Sequence, residues 1–340
     1  MSFPARDLLD LLRNHQDGIA DPLRSDLSEP EILELLSRLV VVMAAYGFSG
    51  GREISFARRS EEAGVHILPV NFYSPVPDVS RLPAAWLRAW RAGKGFDLRP
   101  GAQRELLAGL GKWAPELEQF PEDPVEGGTG FYWNNPTFCR GDASVYYSLI
   151  RELRPRRIVE VGCGMSTLVA LAAAGRNGPT AMVCVEPYPE EYLPAALRET
   201  HAELLAVPVQ EVDDAVFARL GHGDFLFIDS THVSKAGSDV NHLILRVLPA
   251  LEPGVVVHFH DIFLPWDMPE EWIFDKRIFW NEQYLLLAFL LYNAEFEVLL
   301  ANQYLGREHG ELFRASFPKV DIPGGASFWI RRKSGPASPD

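Results

Sequence analysis

The feature that most constrains this fold is a series of seven short apolar runs, which alternate with helix-like patterns from about residue 142 onwards. The runs are rich in β-branched and aromatic residues, as strands are, and they cover residues 157–162, 181–187, 204–212, 224–230, 254–261, 296–303 and 326–333. The intervening helical patterns cover residues 142–153, 166–175, 190–201, 213–220, 238–250 and 278–294. This alternation predicts an α/β fold with a seven-stranded, mostly parallel sheet and helices on both faces.

The region before the α/β pattern has a different residue pattern. Residues 1–125 read as mainly helical, with a capping-box helix start at Ser28 and Glu31 and a strand that runs into a proline-rich loop at 64–78. We expect a boundary at the segment EDPVEGGTG, a main domain over 126–334 and a disordered tail over 335–340. The helical region is expected to serve as a lid, a substrate-binding element or an oligomerisation surface, and the sequence leaves a homo-oligomer open.

Charge and cysteine content narrow the class of protein. The formal net charge is −14 and no block of basic residues occurs, which disfavours nucleic acids and anionic membranes as partners. Three cysteines without a CxxC pair fit neither a disulfide framework nor a zinc cluster, and they suit a reducing cytosol. No apolar run approaches the roughly 20 residues that span a bilayer, so we expect a cytoplasmic protein without an anchor.

A glycine turn follows the first predicted strand. Gly162 and Gly164 stand between that strand and a helix that begins near Ser166. Bare backbone and helix amides at the carboxyl end of a strand are typical of a nucleotide-like ligand site, although an isolated Gly-x-Gly is also compatible with a simple tight turn.

Two acidic residues make the prediction of a nucleotide-like ligand more specific. Glu186 ends the second predicted strand about 20 residues after Gly164, where a carboxylate can accept hydrogen bonds from ribose hydroxyls. Glu160 precedes the first glycine, at a place where an acid can help to hold an amino-acid ammonium group. Dinucleotide binders have a third glycine where this chain has Thr167, which disfavours the alternative of an NAD-dependent oxidoreductase.

The segments VEVGCGMST and VCVEP resemble the first two motifs of the class I S-adenosylmethionine-dependent methyltransferases, and the resemblance extends over residues 142–332. It implies a Rossmann-like sheet whose last strand is antiparallel, with S-adenosylmethionine as the cofactor. It places Glu160, Gly162, Gly164 and Ser166 near the methionine part and Glu186 at the ribose. Gln210, together with Glu211, is then expected near the adenine, and Asp229 is also expected in the cofactor site.

Acids and histidines follow the fourth and fifth predicted strands. Asp229 and His232 come after one apolar strand, and His260 and Asp261 end the next. Because the carboxyl ends of adjacent parallel strands meet, we expect these side chains to converge on one crevice. Two mechanisms fit them: Asp229, Asp261 and His260 hold a divalent ion that lowers the pKa of an acceptor oxygen, or His232 or His260 acts directly as general base.

The chain also resembles the branch of this superfamily that contains metal-dependent O-methyltransferases acting on sugars and antibiotic precursors. In that branch the fifth strand ends in an acidic pair, whereas here the first member is His260. Magnesium prefers oxygen ligands, while a His/Asp set also suits manganese, iron or zinc. The resemblance implies O-methylation of a small molecule such as a sugar or glycosylated natural product; a non-catalytic cofactor-binding or partner domain is a third reading.

Aromatic loops surround the predicted crevice. Trp266 and Trp272 lie in a proline-rich segment after Asp261, where substrate walls are commonly built. Tyr73, Tyr132 and Asn134 are expected to form a lid that reaches the acceptor. His258 is expected to face away from His260 as a core histidine.

Overall fold

The computed structural model describes residues 70–198 and 200–333, together with residues 30, 37, 38, 40, 61, 62, 64, 66 and 68. The chain divides into two units, Met1–Ser80 and Arg81–Asp340. Residues 30, 37, 38 and 40 are helical, as predicted for the helix near Ser28. The rest of that predicted helix and the tail 335–340 lie outside the described residues.

None of the described residues of segment 64–78 lies in the strand that was predicted there; they form turns and loops, and the prolines of the segment cannot donate to a strand ladder. The boundary predicted near residue 125 lies inside the second unit. Helix α2 (Pro100–Leu110) and the 3-10 helix Gly111–Gln119 precede that boundary, yet both contribute buried leucines to the core of the second unit.

A seven-stranded sheet forms the centre of the second unit. Its strands are β1 Arg157–Val161, β2 Ala181–Val185, β3 Ala202–Leu205, β4 Phe225–Ile228, β5 Val256–Phe259, β6 Phe296–Ala301 and β7 Phe328–Arg332. The strand order is β3-β2-β1-β4-β5-β7-β6, in which β7 runs antiparallel to both of its neighbours and β1 to β5 pair in parallel. The predicted Rossmann-like sheet is therefore confirmed, with its antiparallel last strand.

The third strand begins earlier than predicted. It covers Ala202–Leu205, and the later part of the predicted run forms the 3-10 helix Val209–Glu211. Pro208 separates the two because it has no backbone N–H to donate to a ladder.

Helices lie at each of the six predicted places, and three further helices, at Glu270–Phe274, Asn302–Glu308 and Gly310–Ser316, were not predicted. The helices of the second unit are α1 Ala84–Ala89, α2 Pro100–Leu110, α3 Arg140–Leu153, α4 Met165–Gly175, α5 Tyr192–Leu197, α6 Asp214–Ala218, α7 Asp239–His242, α8 Leu248–Ala250, α9 Glu270–Phe274, α10 Glu282–Leu290, α11 Asn302–Glu308 and α12 Gly310–Ser316. A π-helical stretch, Leu243–Val247, joins α7 to α8. No helix within the described ranges has the length and apolarity needed to cross a bilayer.

Successive strand residues pack against opposite layers of helices. Ile158 and Phe227 belong to one core cluster, with residues of α3 and α4, while Val159 and Ile228 belong to another, with residues of α7 and α10. This alternation follows from the two-residue period of a strand, and burial on both faces explains why the central strands are apolar throughout.

Side chains from the α2 region cover the edge strand β6. Gln103 is fully buried; its Oε1 accepts a hydrogen bond from the Ala301 N–H at 2.8 Å, and its Nε2 donates to the Leu98 carbonyl. Arg99 Nη1 donates to the Val298 carbonyl at 3.2 Å. These contacts satisfy backbone groups that an edge strand otherwise leaves unpaired.

Strand order reverses between β1 and β4. The chain passes from β1 outwards through β2 to β3 and then returns to β4 on the other side of β1. In open α/β sheets such a reversal opens a crevice at the carboxyl ends of the strands, and ligands bind there.

Candidate active site

The two glycines of the turn after β1 have different neighbours. Gly162 has φ +82°, and a Cβ on it would lie 1.7 Å from the Asp229 carbonyl oxygen. This glycine is therefore required by the close approach of β4. Around Gly164 a Cβ would meet only the Tyr192 hydroxyl, at 3.4 Å, so the space beside Gly164 is open.

Glu160 lies fully buried beneath the turn. Its Oε1 accepts hydrogen bonds from the hydroxyls of Ser166 and Thr167, the latter at 3.1 Å. Its Oε2 has no hydrogen-bond partner among the described residues. Burial raises the pKa of Glu160 to about 8, against the lowering effect of the two hydroxyls. Ser166 thus directs its side chain towards Glu160, while the unpaired Oε2 is an acceptor that a donor such as an ammonium group fits.

Glu186 lies beside the glycine turn, at the end of β2. Its Oε2 accepts from the Cys163 N–H at 3.2 Å, and its Oε1 accepts from the Tyr188 N–H at 2.8 Å. The half-buried carboxylate is therefore fixed next to Gly164. Gln210, by contrast, is exposed after β3, and its Nε2 donates to the Gly237 carbonyl at 2.9 Å.

The glycine turn combines three features: open space at Gly164, an unpaired buried carboxylate oxygen at Glu160 and a fixed carboxylate at Glu186. These are the groups that a nucleoside carrying an amino-acid chain requires: room for its backbone, an acceptor for its ammonium and acceptors for its ribose. The residues present therefore fit S-adenosylmethionine.

The acids and histidine that follow β4 and β5 converge as expected. One potential ligand atom each from Asp229, His260 and Asp261 lies within 4.8 Å of the other two. His260 Nδ1 is 3.6 Å from Asp229 Oδ2 and 3.5 Å from Asp261 Oδ2. Parallel pairing of β4 with β5 brings these strand ends together, and a left-handed φ of +55° at Asp261 turns the chain there.

A buried carboxylate on α3, Asp142, lies beside His260. Asp142 accepts hydrogen bonds from the N–H groups of Ala326 and Ser327, both at 2.9 Å, and from Asn302 Nδ2 at 2.8 Å. Its Oδ2 also lies 3.4 Å from His260 Nε2. Burial acts to raise the pKa of Asp142, but His260 and the amide donors lower it overall, so it is a carboxylate.

His260 lies between three carboxylates that affect its pKa. Burial alone would lower the pKa of His260, but the carboxylates of Asp229, Asp142 and Asp261 raise it well above its usual value. With Nε2 facing Asp142, Nδ1 faces the two strand-end aspartates. Two carboxylates with one imidazole form a ligand set that fits a divalent cation.

His232 is enclosed by carboxylates. Its Nδ1 is 2.8 Å from Glu282 Oε2 on α10, and its Nε2 is 3.2 Å from Asp229 Oδ1. Burial acts to lower the pKa of His232, but these two acids raise it to about 10. An imidazolium that donates to both acids suits this geometry, so the arrangement disfavours the general-base role expected for His232.

Neither Asp142 nor Glu282 was predicted from the sequence. Each is a buried acid near the start of a helix, so the signal available was an acidic residue within an otherwise apolar pattern. Neither stands near its histidine in the sequence.

Asp229 itself has a lowered pKa: burial opposes this shift, but the charges of His260 and His232 outweigh it.

The aromatic predictions have mixed outcomes. Trp280, which was not singled out, covers His232 with ring centroids 4.2 Å apart, and Trp272 lies 5.2 Å from Trp280. Asn134 binds Asp123 and Arg140 within its own loop. Tyr73 is exposed and belongs to the first unit.

His258 is a core residue, as expected, but its predicted direction is wrong. Its ring stacks on Phe227 at 3.8 Å and lies 5.8 Å from the ring of His260. Residues two apart on a strand point to the same face, so the two histidines share one side of β5.

Residues 159–262 match the model of a family described as a methyltransferase domain. A protein of Archaeoglobus fulgidus, described as uncharacterized, is 33% identical over 168 residues, which cover 47% of this chain and 76% of that protein. The matched family segment contains both the glycine turn and the Asp229, His260 and Asp261 group, whereas Asp142 and Glu282 lie outside it.

Similar solved structures include the SAH-bound methyltransferase PaMTH1 of Podospora anserina, at 17% identity and a TM-score of 0.37, over 79% of this chain and all of that one. The O-methyltransferase from Bacillus cereus in complex with SAH is 13% identical with a TM-score of 0.32, over 67% of this chain and 91% of that one.

Proposed function

This chain belongs to the class I S-adenosylmethionine-dependent methyltransferases, and from this premise we propose that it methylates a hydroxyl oxygen of a small molecule. The observation that carries the proposal is the convergence of Asp229, His260 and Asp261 at the crevice, with Asp229 in backbone contact with the cofactor turn at Gly162. A sugar or glycosylated natural product is the acceptor class that the sequence resemblance implies.

We assign the cofactor contacts to the turn side of the crevice. The ribose hydroxyls donate to Glu186, and the ammonium group faces the unpaired oxygen of Glu160 beneath the turn. Gly162, Gly164 and the start of α4 at Ser166 supply the backbone wall, and Gln210 contributes on the adenine side. A bound sulfonium supplies the methyl group for an in-line displacement, which requires the acceptor to be held in alignment.

We assign the acceptor contacts to the opposite side of the crevice. Asp229, Asp261 and Nδ1 of His260 are the groups that would hold a divalent ion such as Mg²⁺ or Mn²⁺. Such an ion, when bound, supplies positive charge that lowers the pKa of a hydroxyl. Asp142 holds the orientation of His260, and the charged His232 fixes Asp229 from the other side.

The alternative in which His260 removes the acceptor proton directly uses the same residues. The carboxylates of Asp229, Asp142 and Asp261 raise the pKa of His260 well above its usual value, which disfavours this role as it does for His232. Dependence of activity on a divalent ion separates the two mechanisms. The NAD-dependent oxidoreductase is set aside because the chain belongs to the methyltransferases.

We propose that the acceptor is a soluble small molecule of the cytoplasm. The net charge of −14 supports this acceptor class, because an acidic protein is disfavoured as a binder of nucleic acid. We propose that residues 1–125 contribute to acceptor binding, to a lid or to self-association.

Calorimetric titration tests the cofactor and metal assignments together. S-adenosylhomocysteine is titrated into chelated protein, and Mn²⁺ is then titrated into the saturated complex. We expect micromolar S-adenosylhomocysteine binding, lost in Glu186→Ala, and Mn²⁺ binding, lost in Asp261→Asn. Asp275→Asn, an exposed acid on the following loop, is the matched control and should bind both as the wild type does.

The outcomes separate the parts of the proposal. If S-adenosylhomocysteine does not bind the wild type, the cofactor site is misassigned and the enzymatic proposal fails. If Mn²⁺ binds equally to wild type and Asp261→Asn, the metal assignment fails while the methyltransferase proposal stands.

A further inference from the structure

A cavity of about 350 Å³ lies next to the candidate active site, on the loop that follows β5. It is lined by residues of that loop, of α1 and of α11, including Leu87, Arg88, Phe263, Trp266, Gln303 and Arg307. Phe263 follows Asp261 by two residues, which limits the separation of their Cα atoms to about 7 Å. The cavity is therefore lined by the same loop that begins at Asp261, on the proposed acceptor side of the crevice.

A row of aromatic rings connects the cavity to His232. Phe263 contacts Trp272 with centroids 5.0 Å apart, Trp272 contacts Trp280 at 5.2 Å, and Trp280 covers His232 at 4.2 Å. This row is a series of aromatic contacts that extends from the charged centre to the cavity lining at Phe263. A ring-shaped molecule that reaches from one to the other would lie along it.

Most polar groups that line the cavity already have partners. Arg88 Nη1 pairs with Glu270 at 2.7 Å. Asp267 Oδ1 accepts from the Tyr284 hydroxyl and from the Met268 N–H. Among the described residues, Arg307 has no acidic or hydrogen-bonding partner, and the same is true of the side-chain amide of Gln303. The cavity thus presents one uncompensated guanidinium and one free amide.

The Arg307 guanidinium lies over the ring of Trp266. Its Cζ is 4.1 Å from the centroid of that ring, which is itself only 7% exposed and stacks against Tyr304. The planar N–H edge of a guanidinium matches the two oxygens of a carboxylate or phosphate.

We propose that this cavity binds an oxyanionic group, a carboxylate or a phosphate, on the acceptor molecule, with Arg307 as its main partner and Gln303 as a second donor. The inference rests on the proposed function, because it concerns the acceptor of the same site. In a chain of net charge −14, an anionic acceptor requires such a local cation to be held. The aromatic row then carries the body of the acceptor towards Asp229 and Asp261.

Matched sugars test the proposal in protein saturated with S-adenosylhomocysteine. The dissociation constants of D-glucose, D-glucuronate and D-glucose 6-phosphate are measured by ligand-observed NMR titration. We expect one or both anionic sugars to bind about tenfold more tightly than glucose, since a charge-assisted hydrogen bond has about that value. The difference should disappear in Arg307→Gln and persist in part in Arg307→Lys, which keeps the charge and loses the planar fork.

Arg314→Gln is the control, because Arg314 lies on α12 outside this cavity and its removal changes the net charge equally. It should keep the discrimination between glucose and the anionic sugars. The inference is overturned if the wild type binds all three sugars equally, if the discrimination survives in Arg307→Gln, or if Arg314→Gln abolishes it. Failure of the wild type to bind S-adenosylhomocysteine would overturn the proposed function instead, so the two failures are distinguishable.

Discussion

Gly162 and Gly164 are two residues apart, yet different physical causes require them. At Gly162 the cause is internal, since the Asp229 carbonyl occupies the place of a side chain and φ is +82°. At Gly164 the space is open apart from the Tyr192 hydroxyl. We therefore attribute the requirement for glycine at this position to ligand binding. The sequence motif combines a folding requirement with a binding requirement.

Alanine substitutions should separate these two requirements. We expect Gly162→Ala to lower the free energy of unfolding by roughly 3 kcal/mol or more, because a Cβ would overlap the β4 backbone. Gly164→Ala should cost less than about 1 kcal/mol but weaken S-adenosylhomocysteine binding at least about tenfold. Urea unfolding and calorimetry measure the two effects, and equal stability losses in both variants would contradict this division.

The buried acid Glu160 makes stability depend on pH. Its pKa is raised by burial from 4.5 to about 8 in the folded state. The folded state therefore binds more protons than the unfolded state between these values, and the free energy of unfolding falls as pH rises through them. The penalty is absent below about pH 4.5 and complete above about pH 8.

Glu160→Gln should remove this penalty in the cofactor-free protein. We expect the variant to gain stability over wild type as pH increases, up to roughly 4 kcal/mol above pH 8, and to differ little near pH 4.5. Urea unfolding at a series of pH values measures the difference. Glu126→Gln, an exposed acid, is the control and should follow the wild-type profile. A constant difference at every pH would show that folding does not shift the pKa of Glu160, which contradicts this prediction.

At the scale of elements, helix α2 completes an edge of the sheet. Strand β6 is outermost, and its Ala301 N–H binds the buried Gln103 in place of another strand. A helix that precedes the α/β region in sequence thereby supplies a hydrogen-bond partner that the sheet lacks, which explains why residues before the predicted boundary belong to this unit.

Gln103→Leu should therefore destabilise the whole second unit. The substitution leaves the Ala301 N–H buried without an acceptor, which costs about 1–3 kcal/mol. Arg104→Gln, at an exposed position on the same helix, should change stability by no more than about 0.5 kcal/mol. Denaturant unfolding of both variants measures these values. An equal loss of stability in Arg104→Gln and Gln103→Leu would show that the loss arises from the helix and not from the contact with the edge strand.

At the scale of the molecule, all contacts described for the candidate site lie within Arg81–Asp340. The glycine turn, both histidines, their acidic partners and the cavity at Arg307 belong to this one unit. Cofactor binding is therefore expected to need no residue of Met1–Ser80.

A fragment of residues 81–340 tests this expectation. It should unfold cooperatively and bind S-adenosylhomocysteine within about threefold of the full chain, as an independently folding domain does. Circular dichroism melting and calorimetry are the measurements. Loss of binding by more than about tenfold in a folded fragment would show that the first unit contributes to the cofactor site.

Features that depend on residues near one another in the chain were predicted correctly. Six strands and most helices lie where the apolar patterns placed them, because the residues that form the buried face of a strand or helix are close in sequence. The run at 204–212 was misplaced, since Pro208 interrupts a pattern that remains apolar. Convergence of Asp229, His260 and Asp261 was predictable because parallel neighbours end at the same edge.

What the sequence determined by itself is the α/β class, the glycine turn with its two acids, and the strand-end group of Asp229, His260 and Asp261. Only the tertiary structure decided the partners: Asp142 for His260, Glu282 for His232, the Asp229 carbonyl for Gly162 and the Trp266 ring for Arg307. These partners come from elements distant in the chain, whose contact depends on helix packing that local periodicity does not encode. Protonation and orientation at the site depend on the same packing, because burial and nearby charge set them.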